Sequence, residues 1–552
     1  MLTFALVACL SPALASQTAV DAPAGTPVLE VTSDNTEVTR SCVVRIAPGA
    51  IIEDTDGNGV LHVKADGVTV EFEKGAVLRG AKIDNNWNEL KGVGIRIDGH
   101  KNVSVKNAEI AGFKVGLHAT RADGLTLDRL NVHDCYRQRL KSTPQKEHND
   151  DWMFPHNNDG REWMTQHGGA VVVERSRECT LSNITVRATQ NGIILDRVTG
   201  SKVFDNDCSF LSGWGLAMWR SSENTVARNA FDFCVRGHSE GVYNRGQDSA
   251  GILMFEQCSS NVIAENSVTH GGDGLFGFAG RVALGEAAHN PEDGAFDPTS
   301  AGCNDNTILG NDFSYAPAHG LEMTFSSGNL ILGNRFVENA ICGIWGGYSR
   351  NMIIARNTFE GNGGMAYGLE RGAINIEHGS DNTIAENTFT NNRCAFHLWW
   401  DDDGALLEKP LVKANDKGVS NNIIANNTIT INDDHPFTRD KDKDRPLVVL
   451  HLRDVPPKGQ PAPATPHLKD NIYAGNTVTL TAKNAKEIDA DAGSEPLTLT
   501  TMPDLHIPQI KLKLPGVRTP VGARHHLRGR ANIVMTEWGP WEHVGKDPRV
   551  SP

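Results

Sequence analysis

The chain has 552 residues, a formal net charge of −14, and 39% hydrophobic and 22% charged residues. No lysine lies between Lys202 and Lys409, while Asp and Glu are frequent there. That balance argues against nucleic acid or an anionic membrane as partner, weakens the case for a highly charged polyanionic substrate, and removes lysine as a catalytic base from the central part of the chain.

Met1–Ala15 is short and apolar and ends in Ala13-Leu14-Ala15, which reads as an export signal; the expected location is periplasmic, cell-surface or extracellular in a bacterium. Leu6-Val7-Ala8-Cys9 also resembles a lipoprotein box, although few residues precede it. No other segment could span a membrane. Residues 21–99 read as an N-terminal cap of short strands and turns over the first coil of a solenoid. Within it, Asp54-Thr55-Asp56-Gly57-Asn58-Gly59 opens like a calcium loop, but the twelfth position is Ala65 and strands flank it, so a turn is expected.

From residue 100 to 480 one phrase recurs, as in SSNVIAENSV from Ser259 and SDNTIAENTF from Ser380. Its second asparagine falls at Asn229, Asn266, Asn311, Asn334, Asn357, Asn387 and Asn427, with Asn183 and Asp207 earlier. Where no insertion intervenes the interval is about 22 to 24 residues, in the range of repeat architectures. Alternating Val, Ile, Thr and Phe broken by Gly and Asn make strands and turns, and one such unit cannot bury its own apolar face. Stacked copies can, so the expected fold is all-β, a right-handed parallel β-helix. The asparagines are expected at left-handed corners, with side chains hydrogen-bonded up and down the column. Pro456–Pro466 is a Pro-rich loop. Residues 481–552 read as an irregular extension whose final NIVMTEWGPWEHV covers the open end of the helix or begins a further domain.

Ten cysteines in an exported chain raise the question of disulfides. Cys342 and Cys394 occupy equivalent places two coils apart, roughly twice the strand spacing and too far to bridge, so buried thiols are expected. No C-x-x-C or H-E-x-x-H occurs, and no metal site is assigned.

Three insertions, Cys135–His167, Val235–Asp248 and Gly361–Arg371, fall between the asparagine strand and a Gly-led strand. A fourth, Arg281–Cys303, follows the Gly-led strand. Together they should wall a groove. Trp152 and Trp163, with Asp150 and Asp151, give the first a composition suited to sugars, or simply to a pinned loop. Aligning the Gly-led strands and applying strand alternation gives two outward columns. One holds Ala217, Leu253, Phe276, Glu322, Trp345, Asn375 and His397; the other holds Trp219, Phe255, Phe278, Thr324, Gly347, Glu377 and Trp399. Aromatic planes stack on sugar rings and fixed polar groups select hydroxyls, so a glycan groove is one reading and a second core under the loops is the other.

The repeat N-x-I-x-x-N-x-F followed by G-I resembles the PbH1 repeats of pectate-lyase-like and NosD-like secreted β-helix proteins. That resemblance implies the fold, and it spans lyases, hydrolases, epimerases, adhesins and a copper-site maturation factor. For glycoside cleavage two carboxyl groups must flank the bond. Asp248 and Asp273 should lie roughly 6 to 10 Å apart, an inverting spacing, whereas Glu322 and Glu377 at roughly 12 Å are too distant. The expected catalytic residues are Asp248, Asp273 and Glu322. His238, Tyr243, Arg245, His270, Trp345, Asn375, Glu377, His397 and Trp399 are expected to bind substrate. A glycoside hydrolase acting as a monomer on a polysaccharide or oligosaccharide is the leading reading, without a cofactor. A lyase, using Arg245 or His270 as base with calcium on Asp401, Asp402 and Asp403, and a non-catalytic glycan binder are the alternatives. A copper role lacks a Met/His/Cys cluster.

Overall fold

The computed structural model describes residues 25–546 apart from 144, 239–245, 366–370, 440–445, 458–459, 461–465, 500–502 and 517–523. The export segment Met1–Ala15 and most of Pro456–Pro466 therefore lie outside the described residues. Sixteen strands, from Val28–Glu30 to Leu497–Leu499, form one parallel sheet, and fifteen, from Thr36–Val38 to Ala485–Ala490, form a second. Two five-stranded sheets add a third side. Each strand pairs with its equivalent in the next coil and not with its neighbour in sequence, which is the wiring of a parallel β-helix. The stack already includes Val28–Glu30 and still includes Leu497–Leu499, so the segment read as a cap supplies strands to both long sheets, and coils continue past residue 480.

The asparagine column exists, displaced by one residue from expectation in its first coils. Asn206 Nδ2 donates to Asn229 Oδ1 at 2.9 Å, and the chain of side chains continues through Asn266, Asn311, Asn334, Asn357, Asn387, Asn427 and Asn476. Asn183 and Asp207 stand outside it: Asn183 Nδ2 donates to Asp128 and Asp207 pairs with Arg187. The left-handed residue is the one before each ladder position, among them Arg228, Glu265, Arg356 and Glu386, with φ between 52° and 58°. The reversal occurs there, and it swings the following asparagine inward, where its amide satisfies backbone groups that burial would otherwise orphan. Two residues after the ladder, Phe313, Phe336, Phe359 and Phe389 form an interior stack at 5.6, 4.8 and 4.8 Å.

All nine cysteines among the described residues are free and buried, and Gly372 of the intervening coil separates Cys342 from Cys394. The Asp54 loop is a turn: Asp54 Oδ1 accepts the N–H of Gly57 and Oδ2 that of Val93. The C-terminal segment lies along the flank of the stack. Arg524 binds Asp207 and Asp232, Glu542 binds Arg187, and Trp538 packs edge-on against Trp87.

Candidate active site

Strand pairing fixes the columns of the Gly-led sheet. Ala217, Leu253, Phe276, Glu322, Trp345, Asn375 and His397 are successive partners. So are Trp219, Phe255, Phe278 and Thr324, and further along Glu377 and Trp399. Their alternates, Leu216, Met218, Ile252, Met254, Leu321, Met323, Ile374 and Ile376, belong to the main interior core. Gly347 remains in the second column. A Cβ there would meet Glu377 Oε2 and Trp345 Cζ2 at 3.4 Å and Thr324 Cγ2 at 3.6 Å, all ordinary contacts, which places Gly347 between Thr324 and Glu377 in the column.

The insertions divide this face. Toward the N-terminus Cys135–His167 folds down and makes a second core with Trp214, Ala217, Trp219, Leu253, Phe255 and Phe276. Trp163, at 1% exposure, meets Trp214 at 5.0 Å and Trp219 at 5.3 Å. Asp151 is buried and accepts the N–H groups of Lys141 and Ser142, while Asp150 pairs with Lys141. The loop is pinned, and this half of the expected groove is packed interior.

Past Phe276 the face carries charge. Asp273, immediately before its strand's glycine, accepts the His319 N–H on Oδ1 at 2.8 Å. Asp273, His319 and Glu322 each offer an atom within 4.8 Å of the others, and His319 Nε2 is 4.0 Å from Glu322 Oε2. The His319 ring lies nearly parallel to Trp345, centroids 6.0 Å apart. Next along the column the His397 Nδ1–H donates to Asn375 Oδ1 at 2.7 Å, and His397 stacks on His451 at 4.7 Å. Burial, then the charges of Arg453 and Arg371, push His451 down to about 3, so it is neutral. Trp399 lies 6.2 Å from both Trp345 and His397. Glu322 and Trp345 are half-buried, whereas Asn375 and His397, next in the same column, are fully buried.

A second cluster adjoins the first. Glu377, His378, Asp401 and Asp403 converge within 4.8 Å. Burial, then Asp403 and Asp401, push the Glu377 carboxyl up to about 9. Burial opposes a charge on His378, yet its bond to Asp401 and the proximity of Asp416 and Glu377 pull it up to about 9. The Tyr348 hydroxyl donates to Asp403, and its ring stacks on His378 at 4.5 Å. Asp402 is turned aside and caps the Gly404 N–H.

The expected residues thus divide. Asp273, Glu322, Trp345, Asn375, Glu377, His397 and Trp399 share one stretch of face. Asp248, left-handed at φ 57°, sits two residues before Ala250, the partner of Asp273, and its carbonyl receives the Trp214 indole N–H. His238 is buried within the second insertion. Tyr243 and Arg245 lie outside the described residues. His270 belongs elsewhere: it is stacked on Phe233 at 4.1 Å, bonded to Thr269, beneath Leu527 and Gly529 of the C-terminal segment, and burial pushes it down to about 3. Its left-handed backbone (φ 59°) turns it away from the strand that follows. His319, Tyr348 and His378 went unread in the sequence. His319 was findable, because it precedes its strand's glycine as Asp273 does; the other two occupy corners, which strand alternation does not reach.

A family model described as "Right handed beta helix region" matches residues 285–409, and one described as "Periplasmic copper-binding protein (NosD)" matches residues 55–314. The chain folds as a right-handed parallel β-helix. No curated protein matches it. Similar solved structures include the DFA-IIIase of Arthrobacter chlorophenolicus A6, at 12% identity and TM-score 0.34 over 65% of this chain and 83% of that one. They also include the mannuronan C-5 epimerase AlgE4 A-module of Azotobacter vinelandii, at 11% and 0.34 over 86% and 92%. A third is the catalytic unit of the GH87 alpha-1,3-glucanase of Streptomyces thermodiastaticus strain HF3-3, at 13% and 0.35 over 79% and 62%. At these identities and scores the three enzymes say nothing about the reaction of this β-helix protein. Among the described residues, the groups close enough to share an ion hold carboxylates and imidazoles and no cysteine, so none of them is a thiolate site for copper(I).

Proposed function

We propose that this β-helix protein is an exported glycoside hydrolase acting on a polysaccharide laid across the Gly-led sheet at Glu322 and Trp345. The reading rests on one observation: the Asp273 and Glu322 carboxyl groups converge within 4.8 Å beside an aromatic shelf. That separation is near the roughly 5 Å of double-displacement enzymes and below the spacing that leaves room for a water. The pair that supports hydrolysis is accordingly Asp273 with Glu322, and retention replaces the inversion expected from Asp248 with Asp273. Double displacement needs one of the two carboxyl groups to carry a proton and the other to be ionised. Glu322, the more exposed, gives that proton to the glycosidic oxygen while Asp273 attacks the anomeric carbon. Glu322 then takes a proton from the water that releases the sugar. The half-buried Trp345 carries a sugar ring, backed by the buried Trp399, and the Glu377 carboxyl, neutral below about pH 9, both donates to and accepts from hydroxyls.

Glycan depolymerisation by wild type, Glu322→Gln and Asp273→Asn is the test, with reducing ends and the ultraviolet absorbance of unsaturated uronates both followed. New reducing ends without absorbance, reduced about 10²- to 10⁴-fold by either substitution, support hydrolysis. Rising absorbance would instead make His319, between the two carboxyl groups, the base of a lyase. Binding without cleavage would leave a glycan-binding solenoid.

A further inference from the structure

The corner after the Gly-led strands carries a ladder of its own. Thr120, Glu174, Asp196, Trp219 and Phe255 form one paired row of the sheet. The residues after them, Arg121, Arg175, Arg197, Arg220 and Glu256, are all left-handed, with φ of 51°, 46°, 55°, 47° and 59°. Four arginines therefore follow one another on coils whose backbones are about 4.8 Å apart, a concentration of positive charge that needs relief. Arg197 has it from Asp159, Asp196 and Asp293, and Arg220 from Asp159 and Asp293. Arg121 has it from Asp98. Arg175 is exposed and stands in no ion pair among the described residues, and the same holds for Arg177, bridged to Thr199 of the next coil.

These two arginines border a cleft of about 410 Å³ between the corner and the fourth insertion, which contributes His289, Glu292 and Asp293. Glu256, only 1% exposed, lies at the same cleft with an Oε2 that has no hydrogen-bond partner, 3.7 Å from Arg220. The remaining wall is polar (Thr199, Ser222, Gln257), with nothing apolar larger than Ala295. Such a lining suits hydroxyl groups, and the exposed planar forks of Arg175 and Arg177 suit a carboxylate or sulfate.

We propose that this cleft is a second ligand site, taking an anionic saccharide whose carboxylate or sulfate pairs with Arg175 and Arg177. The site is separate from the Asp273–Glu322 pair and stands or falls without it. The test is calorimetric titration of the full chain carrying Glu322→Gln, to stop turnover, with tetragalacturonate, a chondroitin sulfate tetrasaccharide and neutral cellotetraose. At least one anionic tetrasaccharide should bind with an affinity that falls as salt rises. Arg175→Gln with Arg177→Gln should weaken it about tenfold or more, and the double Lys variant, which keeps charge but loses the fork, should fall between. Binding of the galacturonate alone assigns carboxylate, and of the sulfated sugar alone assigns sulfate. No binding of either, or anion binding untouched by the double Gln variant while its melting temperature is unchanged, overturns the proposal. A failure of hydrolysis leaves it intact.

Discussion

Glu377 and His378 are adjacent residues on opposite sides of a strand end, and both hold protons more tightly folded than unfolded. Glu377 moves from 4.5 to about 9 and His378 from 6.5 to about 9. A raised folded value stabilises below the unfolded value and loses that contribution as pH climbs through the folded one. Thermal stability should therefore decline from about pH 4.5, where the Glu377 contribution begins to fall, and more steeply from about 6.5, where that of His378 joins it, up to about pH 9. Glu377→Gln, which cannot ionise, should flatten that decline in melting curves taken across the range, most clearly below pH 6.5. A variant that melts with the wild-type slope would show that the carboxyl is already ionised at neutral pH. The outward residues Glu322, Trp345, Asn375, Glu377 and His397 were legible because strand alternation alone dictates them. What alternation cannot report is cover: Asn375 and His397 point outward as read and are nonetheless fully buried. Corner residues such as Tyr348 and His378 follow backbone reversals, for which the sequence offers no comparable rule.

The element that repeats is an asparagine, a residue, then a phenylalanine, and its two sides act differently. Asn357 Nδ2 donates to Asn387 Oδ1 and the Ile331 carbonyl, and Asn357 Oδ1 receives the N–H of Asn334. Replacing it with alanine orphans the buried Asn334 N–H and Ile331 carbonyl of the preceding coil, each costing about 1–3 kcal/mol. Phe359→Ala instead opens a cavity between Phe336 and Phe389, for about 3–5 kcal/mol. Denaturant titration should find both variants destabilised. An added Phe336→Ala should change the cost of Phe359→Ala, since the rings touch, and should add simply to Asn387→Ala, whose contacts lie elsewhere. The strands and the ladder itself were plain from the phrase. The placement of the left-handed residue was not, because Asn is as good a candidate for φ > 0 as the Arg or Glu before it, and only the need to bury the amide decides.

At the scale of the molecule, the C-terminal segment is the part least visible beforehand, since extended chain with no period carries no pattern to read. Its Arg524 neutralises Asp232, which has no exposure, and Asp207 beside it. The segment is thus a tie along the stack. The ladder spacings carry a consequence for how the chain assembles. Successive asparagines are 23 residues apart at Asn206–Asn229, Asn311–Asn334 and Asn334–Asn357. They are 37 and 45 apart at Asn229–Asn266 and Asn266–Asn311. The bonds formed are the same, but doubling a loop costs about 0.6 kcal/mol more to close. Two zones of short closure should zip early, from Asn206 and from Asn311, and meet at the coil between them. Pulsed hydrogen exchange should find the amides of Asn206 and Asn334 protected before that of Asn266; the reverse order would mean that the insertions fold first and carry the coils with them. The coil where the two fronts meet is the one that holds Asp273, so on this order the Asp273–Glu322 pair would assemble only after the short-closure coils on either side of it have formed.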